Sequence, residues 1–153
     1  MFDVCQTRRN FIFFLGIFSA CPKTFGAEAP SLAGLWRTID DKTRKARGVV
    51  RLYEQQGALF GKIERSYDPK EANDVCDKCT DDRRNKPVVG MVFLRNMKRH
   101  GATEYTGGDI LDPDSGWLYR CKISVEEGGK KLVVRGFLGL SLIGRSQIWL
   151  REE

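Results

Sequence analysis

The sequence predicts an all-β, antiparallel domain of about eight short strands, arranged as a sandwich or barrel. Three observations predict it. Apolar residues recur with a period of two over most of the chain, and the helical period of 3.6 is scarce. Turn-forming clusters separate these stretches at short intervals. Neither a second long apolar run nor a Gly/Ser linker divides the chain, and 153 residues suit one domain.

The elements follow in order. Leu35 to Ile39 opens the sheet, and Gly48 to Tyr53 and Ala58 to Arg65 form a hairpin across Glu54-Gln55-Gln56-Gly57. The continuous apolar run from Val88 to Leu94 suits a strand buried on both faces. Arg95 to Gly101 reads as a polar turn carrying the sole histidine, His100, before a strand from Thr103 to Leu111. Asp112-Pro113-Asp114-Ser115-Gly116 is turn chemistry, because Pro presets φ and Gly accepts positive φ. From Trp117 to Val125 alternation is clearest: Trp117, Tyr119, Cys121, Ile123 and Val125 share one face, and Leu118, Arg120, Lys122 and Ser124 the other. A turn at Glu126 to Lys130 leads into Lys131 to Gly139, and Ser146 to Arg151 closes the chain. The segment from Tyr67 to Pro87 stands apart, being charged and poor in β-formers. It is expected to form a long loop or a short helix, a lid over one end or a structural belt.

The first thirty residues have another character. Arg8 and Arg9 precede the apolar run Phe11 to Phe18, and Ala27-Glu28-Ala29 supplies a cleavage pattern. These features predict a secretory signal over residues 1–29 and a single mature domain over residues 30–153, periplasmic or secreted. The run is about half the ~20 residues of a spanning helix, which ranks a membrane anchor lower. Thr7-Arg8-Arg9-Asn10-Phe11-Ile12 also fits a twin-arginine export signal, ranked below the ordinary one. Phe18-Ser19-Ala20-Cys21 resembles a lipoprotein box, so membrane attachment is expected only through lipid on Cys21. The net charge is +6, and residues 1–29 hold three cations against two anions, leaving +5. Both signs are scattered, which reads as a solvated surface and argues against nucleic acid as a partner.

Gly34-Leu35-Trp36 resembles the Gly-x-Trp signature of lipocalins. That resemblance implies a Trp at the closed end of a barrel, covered by an Arg from the last strand, here Arg145 or Arg151, with Arg151 preferred as the partner of the Trp36 plug. The wider pattern is more specific. It comprises Gly34-Leu35-Trp36-Arg37-Thr38, Cys76-Asp77-Lys78-Cys79, Pro87-Val88-Val89-Gly90-Met91 and Gly107 to Pro113. It continues through Tyr119-Arg120-Cys121-Lys122, Arg135 to Gly139 and Gly144 to Trp149. Together these resemble the bacterial exported family called domain of unknown function 2147, over nearly the whole mature chain. The resemblance implies a lipocalin-like antiparallel β-barrel and leaves the activity open.

Residues that carry chemistry are few. Cys76-x-x-Cys79 fits a structural disulfide better than a redox dithiol, because no thioredoxin-like βαβ unit surrounds it; Cys121 is an alternative partner for either thiol. Zinc held by Cys76, Cys79, Cys121 and His100 ranks low, since the second pair lacks ligand spacing. Neither a Gly-x-Ser-x-Gly elbow nor an EF-hand loop occurs. No metal site, cofactor or catalytic residue is therefore assigned, and an enzyme is the lesser reading. The expected function is binding of a small apolar or amphipathic molecule, with Tyr53, Phe60, Met91, Phe93, Tyr119 and Phe137 in the lumen and Asp109, Arg135 and Arg145 as polar anchors. The alternative is a cell-envelope structural or interaction protein with a plugged barrel. An enzyme would gather Asp109, Arg135 and Arg145 in one cavity.

Overall fold

The computed structural model describes residues 30–139 and 143–152. The segment read as a secretory signal, with Cys21, lies outside them. Eight antiparallel strands form a closed barrel in chain order: β1 (Gly34–Ile39), β2 (Ala46–Gln55), β3 (Ala58–Ser66), β4 (Val92–His100), β5 (Glu104–Asp112), β6 (Trp117–Glu126), β7 (Lys131–Phe137) and β8 (Gly144–Arg151). β8 returns to β1, pairing Trp36 with Arg151 and Thr38 with Trp149. Closure leaves neither edge strand open.

Local chemistry explains the turns. Gln56 and Gly57 both take positive φ, 50° and 72°, between paired Gln55 and Ala58. That is a two-residue hairpin turn, whose twist matches the flanking strands. At the far side of the barrel Gly116 takes φ 72°, and a Cβ there would collide with the Lys78 carbonyl. Only glycine lets the long β3–β4 segment lie that close.

Three sequence expectations are corrected. β4 starts at Val92, because Gly90 at φ 91° breaks the pleat of residues 88–91. Those residues still bond to β3, Gly90 N donating to Ile63 O at 2.7 Å. The polar stretch around His100 is strand, since Lys98, Arg99 and His100 pair with Thr106, Tyr105 and Glu104. Trp117 stands 57% exposed at the start of β6, so the apolar face expected there is buried at Cys121 and Ile123 and open at its end. The segment from Tyr67 to Pro87 is a loop with one 3-10 turn at Glu71–Asn73, as expected.

One end of the barrel is sealed. Trp36 and Trp149 are fully buried, with Leu52, Leu59, Ile123 and Leu132 around them. The Arg151 guanidinium lies 4.5 Å from the Trp36 ring centroid. It also donates to the carbonyls of Gly129, Ala33 and Ser31 at 3.0, 3.2 and 2.7 Å. Trp36 Nε1 donates to Leu32 O at 2.9 Å. The cation–π stack and the three donated bonds tie the N-terminal segment, the β6–β7 turn and β8 into one plug. Arg151 fills the role implied for the covering Arg; Arg145 lies at the other end.

Candidate functional site: an open barrel cavity

The register fixes which side chains point inward. Trp36 faces Val50, and Val50 faces Ile63. Ile110 faces Tyr119, and a Cβ on Gly136 would meet both at 3.4 Å. A bulge where β3 meets β4 resets the alternation, pairing Lys62 with Val92 but Gly61 with Leu94. Phe93 and Leu94 therefore both turn inward. Phe93 reaches Trp149 with ring centroids 5.9 Å apart, and Leu94 fills the space left by the missing side chain of Gly61.

Above this floor lies a cavity of about 960 Å³ that opens at the end opposite the Trp36 plug. Val50, Ile63, Phe93, Ile110, Val134 and Trp149 form its apolar wall. Thr38, Tyr119 and Gln147 add sparse polar groups, and Gln147 Oε1 accepts from Trp149 Nε1 at 3.2 Å. A predominantly apolar cleft with few fixed polar groups is the usual build of a small-molecule site.

Charged side chains lace the mouth. Arg47 on β2 bonds Asp114 of the β5–β6 turn and lies 3.7 Å from Glu71 of the β3–β4 loop. Both contacts raise the Arg47 pKa against the opposing effect of burial. Ser66 Oγ donates to Glu71 at 2.7 Å, and Lys78 Nζ donates to the Asp114 carbonyl at 2.8 Å. On the other side Arg145 forms a fork with Asp41 at 2.6 and 3.1 Å. Arg145's hydrogen bond and charge hold the Asp41 carboxyl below its usual range. Four inter-strand loops are thus tied in two groups, leaving the cavity open between them.

The β3–β4 loop lines part of the cavity mouth and then lies along the outer wall. Its disulfide joins Cys76 to Cys79, and both residues are buried. Cys76 Sγ sits 3.4 Å from the Pro113 carbonyl, and Val75 bridges to Pro87. Further along, Asp82 takes a bidentate pair from Arg95 at 2.8 and 2.9 Å, and this hydrogen bonding lowers its pKa to about 2. Arg83, only 2% exposed, pairs with Asp81 and donates to Val92 O at 3.3 Å. The loop thus runs from the mouth down over β4.

The residues expected to serve the site divide. Phe93, Tyr119 and Arg145 line the cavity. Six others do not, and the register corrects their expected placement. Tyr53 and Phe60 follow inward Leu52 and precede inward Gly61, so they stack on each other outside, with centroids 5.9 Å apart. Met91 is buried in the turn before β4. Phe137 pairs with Arg120, and Arg135 with Lys122, on the outer face, where Arg135 donates to Ser146 Oγ at 3.1 Å. Asp109 pairs with Arg95 and Arg120 on the same outward alternation, and its buried Oδ1 has no hydrogen-bond partner among the described residues. Burial raises the Asp109 pKa, with Arg83 and Arg95 opposing. Asp109, Arg135 and Arg145 are therefore not gathered in one cavity. Nor do the four residues weighed for zinc converge: Cys76 and Cys79 bond each other, and Cys121 is a buried free thiol. Among the described residues no group of His, Cys, Asp and Glu is arranged for a metal.

Sequence reading missed most of the wall. Val50, Ile63, Ile110 and Val134 are ordinary β-formers, and Arg47 looked like one of many surface cations. The available signal was the pairing of Trp36 with β2: once Trp36 is inside, alternation places Val50 inside too.

Comparison with known proteins agrees with the architecture. A family model described as an uncharacterized protein conserved in bacteria (DUF2147) matches residues 34–151. Among solved structures, protein HP1028 from the human pathogen Helicobacter pylori, described as belonging to the lipocalin family, superposes with a TM-score of 0.70 at 21% identity. The match covers 80% of this chain and 84% of that one. At that identity the likeness shows the fold. No curated protein matches.

Proposed function

The chain belongs to the bacterial family called domain of unknown function 2147, and on that footing we propose that it is an exported protein that binds a small apolar or amphipathic molecule inside its barrel. The observation that carries this reading is the open cavity of about 960 Å³ with apolar walls and a charged mouth. A plugged barrel would offer no such space. Binding would release water from an apolar surface, and the paired charges at the mouth would meet a polar head group without being buried themselves. Export rests on the basic, apolar and Ala-x-Ala pattern of residues 1–29.

N-phenyl-1-naphthylamine, which fluoresces in apolar surroundings, tests the site. Probe binding is expected, and Val134→Trp, which fills the wall, should weaken it at least tenfold while the cooperative melt persists. Unchanged affinity in that variant would remove the cavity as the site. Native mass spectrometry of protein recovered from the producing bacterium's envelope then reports the N-terminus and any co-purified mass. Recovery only from the cytoplasm with Met1 retained would sink the export reading.

A further inference from the structure

One side of the cavity mouth carries an unusual pairing of side chains. Trp117 is 57% exposed, Leu118 47%, Leu138 40% and Ile143 75%. They sit where β6 begins, where β7 ends and where β8 begins, and these strands are neighbours. Large apolar side chains clustered in water at an opening mark a contact surface.

Cations surround this cluster. Arg120 pairs in register with Phe137, one residue before Leu138. Lys42, Arg44 and Lys45 crown the adjoining β1–β2 loop, which the Asp41–Arg145 fork ties to the start of β8. Lys42, Arg44, Lys45 and Arg120 are exposed, and none has an ion-pair partner among the described residues. The acids of that loop are already occupied. Asp41 is held by Arg145, and Asp40 accepts from Lys42 N, Thr43 N and Thr43 Oγ1 at 3.1, 2.6 and 2.8 Å. Of the remaining acids of this end, Asp112 and Asp114 sit in the β5–β6 turn beside Trp117, where Asp112 accepts from Ser115 Oγ and Asp114 is paired with Arg47, and Asp68, Glu71, Asp74 and Asp77 belong to the β3–β4 loop across the mouth.

We infer that this lobe docks on an anionic lipid bilayer, with Trp117, Leu118, Leu138 and Ile143 entering the interface and Lys42, Arg44, Lys45 and Arg120 meeting the phosphates. Trp and aliphatic side chains flanked by Lys and Arg suit the headgroup boundary. Each cation near an anionic surface strengthens the attraction and makes it sensitive to salt. A second copy of the chain would bring like charges together. The surface is also a rim around an opening, not a groove for a peptide. Docked this way, the cavity faces the bilayer, and an apolar ligand crosses between them without passing through water. That last step rests on the cavity reading; docking itself does not. No lipid on Cys21 is required.

Trp117 is a built-in reporter, because Trp36 and Trp149 are fully buried. The purified full chain is mixed with vesicles of equal phosphatidylglycerol and phosphatidylcholine, and separately with phosphatidylcholine alone. Every variant keeps the same N-terminus, so differences isolate the rim. The expected result is sedimentation with the anionic vesicles, a blue shift of Trp117 emission and reversal by 0.5 M salt. The triple variant Lys42→Glu/Arg44→Glu/Lys45→Glu should lower partitioning on the order of 100-fold. Its naphthylamine binding should stay unchanged, and Trp117→Ala/Leu118→Ala should weaken partitioning while keeping the melt. Equal binding to both vesicles, or a triple variant that binds like the parent, overturns the proposal. So does a blue shift that follows protein concentration without lipid, which would mean a second copy. Vesicle binding without naphthylamine binding would leave docking standing and remove the cavity reading instead.

Discussion

Trp36 shows how much one side chain holds. It is fully buried, donates to Leu32 O and carries Arg151 on its face. Trp36→Ala removes the floor of the barrel and leaves Arg151 without its stack, so a loss of about 3–5 kcal/mol is expected in a denaturant titration. A loss under about 1 kcal/mol would contradict its place in the core. Asp109 behaves oppositely. Its folded pKa is raised by burial, so folding favours the protonated form. Stability from this group is present at low pH and is lost as pH rises through its folded pKa. Asp109→Asn should therefore stabilise the protein at neutral pH, and the gain should shrink as pH falls through the raised folded pKa and vanish below the unfolded carboxyl value of about 4. A variant less stable than the parent at pH 7 would show that Arg83 and Arg95 outweigh the cost of burial. Both residues were visible in the sequence, but differently. Trp36 stood in a recognisable signature, whereas Asp109 in a strand gave no sign that the distant Asp81–Arg83 stretch would cover it.

At the scale of elements, the β3–β4 loop decides what the barrel can admit. Its disulfide closes a loop of only four residues, so constraining the unfolded chain contributes about 2 kcal/mol. Reduction is expected to lower stability by about that amount and to speed naphthylamine entry, because Cys76 and its neighbours brace the β5–β6 turn. Stopped-flow mixing with and without a reductant checks it; identical entry rates would make the loop a belt with no gating role. The strands themselves were legible. Alternation from Trp117 to Val125 and from Lys131 onward places β6 and β7, and Asp112 to Gly116 marks the turn between β5 and β6. The start of β4 was not. Val88 to Met91 has strand composition, yet Gly90 at positive φ and the Val75–Pro87 bridge hold it as an irregular entry.

For the whole molecule, closure is the controlling feature. β1 and β8 meet across almost the full length of the domain, and Glu152 adds pairs to Arg37 at 3.1 Å and Arg65 at 3.2 Å. Contacts so distant in sequence make folding slow, in the range of milliseconds to seconds. Ending the chain before Gly144 would expose two edges and half of the Trp36 plug, so loss of the cooperative unfolding transition is expected. A truncated chain that still melts cooperatively would show that seven strands suffice.

Residue order alone carried the fold class, the strand number and most of the turns, because period-two alternation and turn chemistry are local properties; the Trp36 plug was legible only through its resemblance to the lipocalin signature, and the structure chose Arg151 over Arg145 to cover it. Only the tertiary structure decided which face is the lumen. Alternation defines two faces without naming either, so Tyr53, Phe60 and Phe137 were as eligible as Val50, Ile63 and Val134. The β3–β4 bulge then turned Phe93 and Leu94 inward together, and the β3–β4 loop buried part of the outer face around Asp109. Both outcomes depend on partners far away in the chain, and no local pattern of residues encodes them.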